Sequence, residues 1–185
     1  MTQIPDAMWL GLAARSESDQ PHEWRPLLWT ARNRMLSPGF PDTAAGVITQ
    51  AWQFSYFSAF RDVADPDVAF TRALAGYAGD ASGWSENDYT EAVKAAREVL
   101  NAGRWAAPFG PKVLNFWSPR SMVPAYSLPK WNWDVMRVFA LGGIDPSRFL
   151  FAETVTGGHP LAGNVSDVLD VAGVGERVPR AEVTA

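Results

Sequence analysis

Between residues 103 and 130 the chain cannot run as a helix. Pro108, Gly110, Pro111, Pro119, Pro124 and Pro129 interrupt it before any helix could reach three turns. Each proline lacks an N–H donor and clashes with the carbonyl four residues back. Each also biases the residue before it toward extended backbone. Upstream of Gly103 the texture is the opposite, with apolar residues recurring at helical spacing. The fold this permits is α+β: mainly helical, with a small C-terminal β-hairpin or sheet. A length of 185 residues fits one domain. Residues 1–163 read as that domain and 164–185 as a tail, because aromatics disappear after Gly163.

The elements follow in order. Ala7 to Ser16 predicts a first helix, apolar on most sides and therefore buried. Asp19-Gln20-Pro21-His22-Glu23 is a polar break, with Pro21 suited to the first turn of a second helix ending near Met35. Trp24, Leu27, Leu28, Ala31 and Met35 form that helix's apolar stripe. Asp42 or Thr43 can cap a short helix reaching Gln50, and Asp65-Pro66 opens another. Ser85 with Asp88 three residues on resembles a capping box and predicts a helix that stops at Asn101-Ala102-Gly103. Val113 to Trp117 reads as a short strand, and Met136–Leu141 with Arg148–Ala152 as a hairpin about Gly142-Gly143.

Composition narrows the chemistry. There are no cysteines, so a disulfide scaffold, a thiolate metal site and a Cys nucleophile are excluded. The net charge of −4 argues against a nucleic-acid binder. No stretch approaches membrane-spanning length, and the N-terminus lacks the basic and apolar regions of a signal peptide. The only histidines are His22 and His159, with no His/Asp/Glu cluster at ligand spacing, so no metal or other cofactor is expected. His22 suits a helix N-terminal surface position. No Gly-x-Ser-x-Gly elbow surrounds any serine. Carboxylate chemistry remains, amid amides, nine Trp and ten Phe, and that combination points to glycoside cleavage. Glu17 is the candidate acid, because the run from Leu12 to Ser18 delivers it to a helix end beside apolar neighbours. Two readings stand: a carboxylate that only faces water, or a sheltered acid that keeps its proton near neutrality.

With these residues in view, the stretch from about Leu12 to Glu153 resembles the SleB-type, spore-cortex-lytic cell wall hydrolases. Ala14-Arg15-Ser16-Glu17 resembles the helix end that carries the family's catalytic Glu. Ala31-Arg32-Asn33-Arg34 resembles its Asn-Arg pair. Phe40-Pro41-Asp42-Thr43, Val47-Ile48-Thr49-Gln50 and Gln53-Phe54-Ser55 resemble its Phe-Pro-x-Thr, Val-x-x-Gln and Gln-Phe-Ser segments. Leu114-Asn115-Phe116-Trp117-Ser118-Pro119 is similar to its aromatic strand, where Asn-Phe-Trp replaces a more Tyr/His-rich sequence. The segment from Glu17 to Asn33 is shorter than is usual in the family.

The resemblance implies a lysozyme-like fold and cleavage of the MurNAc–GlcNAc β-1,4 bond, as a lytic transglycosylase or muramidase, with Glu17 as the catalytic acid. It implies glycan contacts from Gln50, Gln53, Ser55, Asn115 and Tyr126, with Phe54 and Trp117 either as stacking walls or, as is commoner for a Trp in such a run, as core. A second carboxylate, if one is used, would come from Asp62, Asp134 or Glu153, and nothing around them singles one out. The partner would be peptidoglycan glycan strands. Without a signal peptide, the chain would suit a phage lysin carried in the virion or released through a holin pore. The rival expectation is a non-catalytic phage part on the same scaffold, with virion or tail proteins as partners.

Overall fold

A computed structural model describes residues 3–50, 54–80, 85–122 and 128–155. The chain falls into two compact units, Met1–Pro111 and Lys112–Ala185. Among the described residues the first unit contains α1 (Asp6–Glu17), α2 (Pro21–Met35), α3 (Ala44–Ile48), α4 (Pro66–Asp80) and α5 (Glu86–Asn101). Short 3-10 turns lie at Ser55–Phe60 and Arg104–Ala106.

α1 is the central element, as its all-round apolar character requires. Trp9, Leu10 and Leu12 are fully buried, and α1 packs most extensively on α5. The crossing is close at Gly11. A Cβ there would meet the Val93 backbone at 2.8 Å, so the site has no room for a side chain. Aromatic edges fill the space on another side of α1: Trp9 meets Phe70 edge-on at 5.1 Å and Phe57 at 5.9 Å.

The helix ends obey the expected capping chemistry. Thr43 Oγ1 accepts from Gly46 N–H, and Ser85 Oγ accepts from Asp88 N–H at 3.1 Å. Asp6 Oδ1 also accepts from Ala44 N–H at 2.9 Å and fixes the start of α3 against α1. At the far end of α5, Arg32 Nη1 donates to the Val99 and Ala102 carbonyls at 2.7 and 2.8 Å. Its guanidinium lies 4.7 Å from the centre of the Trp29 ring.

The second unit is built on a three-stranded antiparallel sheet: β1 (Val113–Trp117), β2 (Met136–Phe139) and β3 (Leu150–Thr154), in the order β1-β3-β2. The expected hairpin forms, and its turn needs Gly143 at φ +82°. β1 joins the free side of β3, with an irregular register between Val113 and Asn115. Trp117, Val138, Leu150 and Ala152 form this unit's core, covered by Met122, Leu128, Trp131 and Trp133. Among the described residues no helix is long and apolar enough to cross a membrane.

Candidate active site

The break between α1 and α2 is a locked corner rather than a loose loop. Ser18 leaves the helix in extended backbone while its N–H still bonds to the Ala14 carbonyl. Its hydroxyl donates to Glu23 Oε2 and accepts from Gln20 N–H at 2.9 Å, and its carbonyl accepts from Trp24 Nε1 at 2.8 Å. Glu23 is 1% exposed, so a buried carboxylate sits under the corner, held by a hydroxyl. The sequence reading missed it. The available signal was the spacing Gln20…Glu23, which puts an acid in the first turn of α2.

That corner presents Glu17, the last residue of α1. Its side chain is partly buried, and its Oε1 accepts from Ser55 N–H at 3.2 Å. Ser55 opens a 3-10 turn, so its N–H has no partner within the turn and is free to serve the carboxylate. Burial raises the Glu17 pKa from 4.5 to about 7, against the lowering effect of hydrogen bonds from the Ser55 backbone and side chain. Such an acid is protonated for a substantial fraction of the time near neutral pH and can pass its proton in either direction.

The pair Asn33-Arg34 is buried in the last turn of α2. Asn33 Nδ2 donates to the Gly110 carbonyl at 3.2 Å, and the Arg34 guanidinium lies 5.9 Å from the centre of the Phe40 ring. A family model described as Cell Wall Hydrolase matches residues 28–143, well over half the chain. The chain belongs to the SleB-type cell wall hydrolase family. No curated protein and no solved structure matches it.

This cell wall hydrolase is therefore an enzyme acting on peptidoglycan. The matched span holds the Arg32-Asn33-Arg34 run, Ser55 and β1, and begins downstream of Glu17. The hydrolase brings Glu17 and Ser55 together, but with Ser55 spent on the carboxylate. Gln50 follows α3 by two residues, and its Oε1 is buried with no hydrogen-bond partner among the described residues. Asn115 lies in β1 of the second unit, paired with Ala152 at the irregular register.

Phe54 and Trp117 are both buried. Phe54 is 1% exposed and shares an apolar seam with Leu10, Ala13, Ala14, Leu27, Leu28 and Ala31. Trp117 is 2% exposed in the core of the second unit. Each ring is packed against apolar neighbours of its own unit, and burying so large an apolar surface is favourable. Gln53 and Tyr126 lie outside the described residues, as does the side chain of Asp134. Asp62 projects into solvent beside Arg61, Glu153 is paired with Arg137 across β2 and β3, and His22 is exposed at the start of α2. Among the described residues no group of His, Cys, Asp or Glu is placed to hold a metal ion.

Proposed function

We propose that this hydrolase is a lytic transglycosylase that cleaves the MurNAc–GlcNAc β-1,4 bond with Glu17 as its general acid and base. The observation that carries this reading is the Glu17 carboxyl itself. It sits at a helix end, is desolvated to a pKa of about 7, and is aimed by Ser55. In the first step Glu17 protonates the glycosidic oxygen as the C1–O bond breaks. The substrate's N-acetyl oxygen stabilises the cationic C1, so no second protein carboxylate is required. Glu17, now ionised, takes the proton of the C6 hydroxyl while that oxygen closes on C1, leaving a 1,6-anhydro end. Supporting this route over a two-carboxylate hydrolysis, Glu153 is tied to Arg137 and Asp62 stands in solvent.

Gln50 suits a role in gripping the glycan, since its buried amide oxygen finds no donor among the described residues, which is costly, and an acetamido N–H would relieve that cost. Gln53, Asn115 and Tyr126 remain further candidate glycan contacts on the strength of the motifs they belong to.

Peptidoglycan zymography with the wild type and Glu17→Gln tests the assignment. Clearing by the wild type and a loss of ~10²–10⁴-fold in the variant are expected, the range of general acid catalysis. Equal clearing by both would overturn the role of Glu17. Mass spectrometry of the products tests the reaction type: anhydro ends support it, and reducing ends alone replace it with hydrolysis.

A further inference from the structure

Two tyrosines fasten the two halves of the Glu17–Ser55 pair to the same helix. Tyr77, on α4, donates its hydroxyl hydrogen to the Arg15 carbonyl at 2.8 Å. That carbonyl is in the last turn of α1, two residues before Glu17, where helix carbonyls lack partners. The Tyr77 oxygen also accepts from Arg15 Nη1 at 3.1 Å, and Arg15 Nη2 stands 3.7 Å from Asp88 on α5. The α1 end is thus held by backbone and side chain together. On the other half, Tyr56 directly follows Ser55 and donates to the Ala73 carbonyl of α4 at 2.6 Å. Its hydroxyl lies beside Gly76, where a Cβ would stand 3.1 Å away, so α4 is small at the place where the tyrosine reaches in. The two rings meet edge-on, with centroids 5.4 Å apart.

We propose that Tyr77 and Tyr56 are positioning residues that use α4 as a splint, holding the Glu17 carboxyl in register with Ser55 for proton transfer. The proposal rests on Glu17 being the acid. Neither tyrosine need touch substrate. Each fixes one side of a hydrogen bond that spans two elements far apart in sequence, Glu17 at the end of α1 and Ser55 at the start of a 3-10 turn. Without the splint, the α1 end and the Ser55 turn can drift apart. The carboxyl would then lose the two hydrogen bonds that lower its pKa while keeping the burial that raises it. The charged groups around the splint are Arg15, Asp19 and Asp88, and a Tyr→Phe change leaves all three in place.

The experiment compares full-length wild type, Tyr77→Phe, Tyr56→Phe, Ser55→Ala and Tyr77→Phe/Ser55→Ala. The Glu17 carboxyl is titrated by carbon NMR, its signal assigned with Glu17→Gln. Expected for each tyrosine variant is a rise in Glu17 proton affinity of ~3-fold or more. The alkaline limb of the pH–rate profile should move up with it, and kcat should fall more than KM changes. The double variant should shift Glu17 by less than the sum of the two single changes, since the hydroxyl bond that Ser55→Ala removes is one of the two that the splint holds in place. Variants that melt earlier but leave the Glu17 titration and the pH profile unmoved would overturn the splint and leave only a stabilising role. If instead Glu17→Gln retains full activity while the titration still moves, the splint stands as a structural coupling and the acid assignment fails.

Discussion

Glu17 costs stability so that it can hold a proton. Its folded pKa of about 7 exceeds its unfolded value of 4.5, so the folded state binds the extra proton between those limits. Stability from this group is intact below pH 4.5 and declines as pH rises to about 7, by as much as ~3 kcal/mol. Replacing Glu17 with Gln should therefore raise the melting temperature at pH 8 and leave it nearly unchanged at pH 4, as differential scanning fluorimetry would report. Activity has a related dependence: as general acid, Glu17 must be protonated, so the rate should fall as pH rises through about 7 in a kcat/KM profile. Glu17 was readable as a candidate because helix end and apolar neighbours are local features of sequence. Its partner was not. Ser55 lies 38 residues away, and only the path of the intervening chain brings its N–H to the carboxylate. Phe54 and Trp117 could be read either way for the complementary reason, since a ring's residue type does not tell whether it faces a groove or a core.

Helices and strands were the most legible level. Pro21, Thr43, Pro66 and Ser85 each mark a helix start by a mechanism confined to a few residues, and the helices begin at or beside them. The hairpin was readable from two apolar runs about Gly142-Gly143. That β1 would pair with β3, making β3 central, was not, because strand order depends on contacts that no local pattern encodes. Arg32 shows the same limit, capping a helix whose end lies about 70 residues downstream. Arg32→Ala should cost ~1–3 kcal/mol by chemical denaturation, the usual range for hydrogen bonds from a charged group. At the crossing of α1 and α5, Gly11→Ala should cost a further ~1–3 kcal/mol, because the new methyl meets the Val93 backbone as well as its side chain, and the backbone cannot turn aside.

At the scale of the molecule, the boundary after Pro111 falls inside the proline-punctuated stretch where helical texture ends. Each unit has its own core: α1 and its aromatic neighbours in one, Trp117 with Leu150 and Val138 in the other. Calorimetry should therefore show unfolding broader than a single two-state transition. Gly11→Ala should shift the component belonging to the first unit, and Leu150→Ala that belonging to the second. The Gly11 contact also has a mechanical meaning. It is a point of close approach on α1, and Glu17 stands six residues beyond it, ~9 Å along the axis. α1 is then a lever with its fulcrum at Val93, and a tilt of only ~5° would swing the acid by ~0.8 Å. Misplacement on that scale is enough to cripple catalysis. Substitutions near the fulcrum can thus silence the enzyme while the fold survives.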